Sequence, residues 1–188
     1  MAAPPEKTIK TLAGKWNMNK TLSDNPEPVF ALQGVGYLVR KGIGMASISL
    51  DVQVEEKAPL PPNTSTDPVL HIVLEQTASG LSSTHEHRCM DDVFRPHSDW
   101  LFGNVKGKTK WVTLDEVEDE YLKTGWIVDP AAGAEFLRSH VENEEKGWTA
   151  IQIWGFQLIN GERRYCRNIL VTKGKERVTV RLVYDYVA

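Results

Sequence analysis

Two cysteines in 188 residues are too few for a disulfide framework, and Cys89 and Cys166 match no metal spacing. No apolar run approaches the ~20 residues that a membrane-spanning helix needs. The start, Met1-Ala2-Ala3-Pro4-Pro5-Glu6-Lys7, lacks the apolar core of a signal peptide. A cytoplasmic protein with no membrane span is the expectation. A basic excess is missing too: 22 Lys and Arg stand against 25 Asp and Glu, for a net charge of −3. Phosphate binding needs a basic face, so nucleic acid is not the expected partner. There is no nucleophile elbow, phosphate loop, Walker sequence or dinucleotide glycine pattern. Those gaps speak against hydrolases, kinases and nicotinamide enzymes. They leave open a reaction that needs no cofactor, and none is expected.

What is present is an ordinary globular composition, 41% hydrophobic and 25% charged, in a chain the length of one domain. Six Trp is a rich share, suited to a barrel core or an aromatic ligand. Residues 1–9 read as a flexible lead, and residues 10–188 as a single domain. Leu12 to Asn19 is a first strand. From Val29 to Ile43 the apolar residues fall at helical spacing, and Gly34 and Gly36 split that run into two short helices. Ala46 to Val54, Val69 to Thr77 and the polar Ser82 to Met90 alternate as strands, with a proline-rich loop over residues 55–68. Trp100 to Val105 and Lys108 to Leu114 read as a hairpin through Gly107. Asp115 to Lys123 reads as a short helix capped by Asp115, and 129–133 as a turn. Phe136 to Asn143, with a helix over Ala134 to His140 as the rival reading, Thr149 to Ile159, Glu162 to Thr172 and Val178 to Tyr186 complete the strands. Asn160-Gly161 signals a type I′ hairpin turn. The fold class is all-β: an up-and-down antiparallel barrel of about ten strands with a helical lid after the first.

Gly14-Lys15-Trp16, the lid Leu32 to Lys41 and the final Val180-Arg181-Leu182-Val183-Tyr184 resemble the intracellular fatty-acid-binding proteins, within the lipocalin-like calycins. That resemblance implies a barrel around a small hydrophobic ligand. It departs at the last strand, where those proteins carry an Arg and a Tyr two apart, both inward; Arg181 and Tyr184 are three apart and face opposite sides. The whole chain is more similar to a group of fungal lipocalin-like proteins, through Asp115 to Leu122, Val141 to Glu144, Gly147 to Ala150, and Ile153 to Phe156 running into Asn160 to Tyr165. Within that group it resembles the hetero-Diels–Alderases of tropolone–sesquiterpenoid biosynthesis. The resemblance implies a cofactor-free cyclase that joins a tropolone quinone methide to a humulene-type alkene. A non-catalytic lipid carrier is the alternative.

A subset of Trp16, Tyr37, Trp100, Phe102, Trp111, Trp154, Phe156, Tyr165 and Tyr184 would line the cavity and stack on substrate; the same residues also suit plain core packing. Three candidate catalytic residues follow. His71 and Glu75 lie four apart on one strand and point the same way. Inward, they form an acid–base pair; outward, they are surface beside an inward face of Leu70, Ile72 and Leu74. Arg181 sits amid valines, and a buried Arg needs an acid, a Trp face or an anionic ligand. His85 and His87 with Cys89 share a strand face at a spacing that can bind zinc, but no completing ligand set is evident, so no metal is expected. Pairing of two copies into a homodimer at the open mouth is compatible with the sequence, which carries no pattern for it.

Overall fold

The computed structural model describes residues 1–79, 83–128 and 134–187. Ten strands form one antiparallel sheet: β1 (Gly14–Met18), β2 (Ile48–Lys57), β3 (Val69–Ala78), β4 (Ser83–Cys89), β5 (Arg95–Asp99), β6 (Gly103–Val112), β7 (Phe136–Asn143), β8 (Trp148–Ile159), β9 (Glu162–Lys173) and β10 (Glu176–Val187). Each strand pairs with its sequence neighbour except β4 with β5, and β1 pairs with both β2 and β10. The sheet therefore curls into a nearly closed barrel with a slot between β4 and β5. A bridge from Met90 to Thr109 of β6 spans part of that slot. Closure hides the strand edges that an open ten-stranded sheet would expose.

The lid consists of α1 (Glu27–Leu32) and α2 (Tyr37–Met45). Gly34 takes φ +75°, a left-handed value that stops α1 at low cost. Asn160 and Gly161 both have positive φ, as a type I′ turn requires, and join β8 to β9. One expected hairpin is absent. Gly107 lies within β6, which runs unbroken from Gly103 to Val112, and the real turn is at 100–102. A Cβ added at Gly107 would meet Val141 of β7 at 3.5 Å and Arg88 of β4 at 3.8 Å, ordinary contact distances.

The expected helix from Asp115 is a single 3₁₀ turn, Leu114–Glu116, with Thr113 and Glu116 forming the capping box. It opens a segment, 113–128, that covers the outside of β7 to β9. Val117, Leu122 and Trp126 there pack with Phe136, Ile153 and Leu170. Residues 1–9 do not hang free. Ala3 and Ile9 are buried with Leu12, Trp16, Trp154 and Tyr165 in the plug that closes one end of the barrel. The turn expected at 129–133 and the Ser82 start of the fourth strand lie outside the described residues.

Candidate functional site

Strand parity decides what faces inward. On β3 the inner residues are Leu70, Ile72, Leu74 and Gln76. The register Ile72↔Arg88 and Leu74↔Glu86 then turns Arg88 and Glu86 of β4 inward. On β8, Trp148, Ala150 and Gln152 face the interior, and on β9 so do Tyr165, Arg167 and Ile169. Between lid and plug these residues enclose a cavity of about 300 Å³. Val29 and Phe30 of α1, Phe102 of the β5–β6 turn and Trp148 make its upper wall apolar. That size falls at the lower end of the ~300–1,000 Å³ typical of ligand pockets.

The floor is different in kind. Arg167, 5% exposed, lays its guanidinium 3.8 Å above the Trp154 ring centroid, with the Tyr184 centroid at 5.1 Å. Its Nε donates to the Tyr165 hydroxyl at 2.8 Å, while its Nη2 is buried with no acceptor among the described residues. Beside it, Arg88 Nη2 donates to Glu86 Oε2 at 2.6 Å. Burial alone would raise the Glu86 pKa. The charges of Arg88 and Arg167 outweigh that and, with the Arg88 hydrogen bond, hold it below the ordinary carboxyl value. Burial pushes the Tyr165 and Tyr184 phenols up, so both stay protonated. Burial works against the Arg167 charge, but the phenols and Glu86 favour it and the net shift is upward. At neutral pH the floor thus holds two guanidinium ions, one carboxylate and two phenols.

Such a site can hold an apolar body and donate hydrogen bonds to an oxygen at its buried end. It has no poised thiolate: burial raises the pKa of Cys89, which lies at the slot. Burial, followed by the charge of His71, lowers the pKa of His87 at the same slot and keeps that imidazole neutral. Among the described residues, no group of three or more His, Cys, Asp or Glu is placed to hold a metal ion.

Of the candidate residues, Phe102 and Tyr184 line the cavity. Trp16 is fully buried in the plug, its Nε1 donating to Leu12 O at 3.0 Å. Trp154 and Tyr165 lie just beneath the floor and touch Arg167. Phe156 packs in the plug, and Trp111 packs against it with Lys10 over its ring. Tyr37 and Trp100 are exposed at the lid and at the β5–β6 turn.

None of the three candidate catalytic residues lines the cavity. His71 and Glu75 are on the outer face of β3, because the aliphatic face is the inner one. Glu75 is exposed. His71 is buried from outside by the loop after β2, its Nε2 3.1 Å from Ala58 O and its Nδ1 2.8 Å from His87 Nε2. Cys89 Sγ lies 3.9 Å from His71 Nε2. Arg181 is outward on β10, opposite in phase to Val180, Leu182 and Tyr184. Its Nε is buried without a partner among the described residues, with Tyr121 of the cover segment nearby. Sequence reasoning missed two inward arginines, Arg88 and Arg167. For Arg167 a signal was present: parity with Tyr165, Ile169 and Val171 on the strand that follows Asn160-Gly161.

No family model matches the chain. It is 36% identical over 190 residues to "Probable pericyclase scpY" of Mollisia scopiformis, an alignment covering 99% of this chain and 95% of that protein. It is 28% identical over 192 residues to "Pericyclase pydY" of an Acremonium species, covering 99% and 97%. Among solved structures it is similar to fatty-acid-binding protein 1 of Echinococcus granulosus, at TM-score 0.55 and 12% identity over 94% of this chain and 97% of that one. The fluorescent protein UnaG is similar at TM-score 0.54 and 10% identity, covering 95% and 98%. These structural likenesses share the barrel.

Proposed function

This chain belongs to the family of those pericyclases, and from that premise we propose that it catalyses a cycloaddition inside the barrel cavity. One observation carries the proposal: an apolar chamber ends on a buried arginine with an unfilled N–H. A pericyclic reaction moves its electrons around a ring in one step and exchanges no proton. It needs neither nucleophile nor base. It needs the reacting carbons held in a near-attack pose, and it gains from donors aimed at an oxygen that becomes more negative. Val29, Phe102 and Trp148 supply the walls, and Arg167 supplies the donor. One such donor in a desolvated site is worth roughly 3 kcal/mol, or 10²- to 10³-fold in rate.

In its finer form the reaction is an inverse-demand hetero-Diels–Alder addition of a tropolone quinone methide to a humulene-type alkene in fungal secondary metabolism. The exocyclic methylene carbon and the carbonyl oxygen each bond to one alkene carbon. The alkene π bond is consumed and the seven-membered ring regains its tropolone π system. A hydrogen bond from Arg167 to that oxygen makes the heterodiene a better electron acceptor. No redox partner enters. The test is to incubate the purified protein with both partners and measure rate and stereochemical ratio. Faster formation of one stereoisomer, lost in Arg167→Met, is the expected result. A ratio and rate equal to the protein-free control would overturn the proposal.

A second reading, a non-catalytic carrier of fatty acids or other lipids, is favoured by the shared barrel alone. The last-strand arginine that would serve it, Arg181, faces away from the cavity. Native mass spectrometry distinguishes the two: bound fatty acid together with no turnover of any polyene supports the carrier.

A further inference from the structure

The charges on the cavity floor do not balance. Arg88 and Arg167 bring two positive charges, and Glu86 brings one negative charge. The other charged groups around the cavity are accounted for nearer the slot and mouth. Arg95 pairs with Asp91 at 2.6 Å and Lys108 with Asp92 at 2.8 Å. Asp99 accepts from the backbone N–H groups of Leu101 and Phe102 and lies 3.4 Å from His97. The excess charge therefore belongs to the floor. It coincides with a geometric gap: Arg167 is more than nine-tenths buried, and its Nη2 has no acceptor among the described residues. Stacking on Trp154 and the Nε bond to Tyr165 fix the plane of the guanidinium, so the donor is held in place before any ligand arrives. A buried cation with an unfilled donor is costly unless something completes it.

We infer that a ligand oxyanion completes it: the cavity takes a hydrophobic molecule bearing an ionised oxygen acid, with that oxygen on Arg167 and the apolar body running up towards Phe102 and Trp148. This rests on the reading of the cavity as the substrate site and deepens it by naming the substrate class. Two sources share the chemistry, a carboxylate and a delocalised enolate such as a tropolonate. Both present an oxygen pair that suits a guanidinium edge.

The test compares matched acid and neutral probes by quenching of intrinsic Trp fluorescence at pH 7. One pair is decanoate and decan-1-ol; the other is tropolone, measured as its anion, and 2-methoxytropone. A charge-assisted hydrogen bond to a desolvated group predicts an acid preference of about 10-fold or more. Arg167→Met should abolish it, weakening the acid of each pair about 10-fold more than its neutral partner. Arg167→Gln serves if the methionine variant fails to fold, and the wild-type comparison needs no variant at all. A preference in the decanoate pair alone identifies the carboxylate source, and one in the tropolone pair alone identifies the enolate; either supports the inference. Equal binding within both pairs, or a preference that survives loss of Arg167, overturns it. An acid preference with no catalytic turnover retires the pericyclase reading and keeps this one. Turnover without the preference does the reverse.

Discussion

If Arg167 is there for a ligand, the empty protein bears its cost, and removing it with its hydroxyl partner should not destabilise the fold. The informative variant is Arg167→Met combined with Tyr165→Phe. The Nε–hydroxyl bond at 2.8 Å disappears with both of its partners, a change that is close to neutral. Loss of the cation stacked 3.8 Å from Trp154 costs about 2 kcal/mol in a desolvated setting. The attraction of Arg167 for Glu86 is lost too, though Arg88 remains hydrogen-bonded to that carboxylate at 2.6 Å. Against these losses stands the desolvation of a guanidinium with an unfilled N–H, several kcal/mol, recovered when methionine fills the space. The expected net is a stability equal to wild type or about 1–2 kcal/mol above it, since replacing buried ionic groups by well-packed apolar ones is often stabilising. Truncating the neighbouring Trp154 to Ala should cost about 3–5 kcal/mol. Urea denaturation reads both, with an unchanged m-value confirming that only stability moved. A loss above about 3 kcal/mol in the double variant would show Arg167 to be a structural brace and would refute this reasoning.

Other expectations follow from neighbouring contacts. Ala150→Phe projects a ring into the cavity from β8, clear of the floor. It should weaken decanoate and tropolone binding at least about 10-fold in a fluorescence titration while stability changes by under ~1.5 kcal/mol. Gly155→Ala acts on the outer face, where an added Cβ would lie 2.8 Å from Phe136 and 2.9 Å from Trp126. A cost of about 1–3 kcal/mol by urea denaturation, with ligand affinity unchanged, is expected. Asp91 joins Arg95 and Asn63 across the slot. Burial alone would raise its pKa, but those hydrogen bonds pull it down from 3.8 to about 2. Its contribution to stability is therefore complete above the ordinary carboxyl value and fades as pH falls from there through about 2. The stability gap between wild type and Asp91→Asn should be constant from neutral pH down to about 4.5 and shrink below that; a gap that grew on acidification would contradict the clasp.

The legible parts of the molecule were those with a clean local signal. Asn160-Gly161 fixed a register, and Gly34 and Gly36 divided the lid. Leu70, Ile72 and Leu74 against His71, Val73 and Glu75 left both orientations of β3 open, and the structure puts the aliphatic face inward. The signal fails where a strand is buried on both sides. The cover over β7 to β9 makes the outer residues Ile153, Cys166 and Leu170 as apolar as the inner ones. Alternation then says nothing, and Arg181 looked as good a core arginine as Arg167. Gly107 misled for a related reason. Glycine occurs inside strands as well as at turns, and the residues around this one, Val141 and Arg88, come from strands distant in sequence. Glu86 and Arg88 were read within a polar strand beside two histidines. Only the pairing of β4 with β3 shows that they point into the barrel, while His87 lies at the slot.

The most direct measurement is a crystal structure of the protein soaked with tropolone. Such a complex should hold the ring between the aromatic upper wall and the floor, with an oxygen about 2.7–3.2 Å from a guanidinium nitrogen of Arg167. A cavity filled by side chains, or a ligand seated with its oxygens towards the lid and Arg167 untouched, would contradict the account.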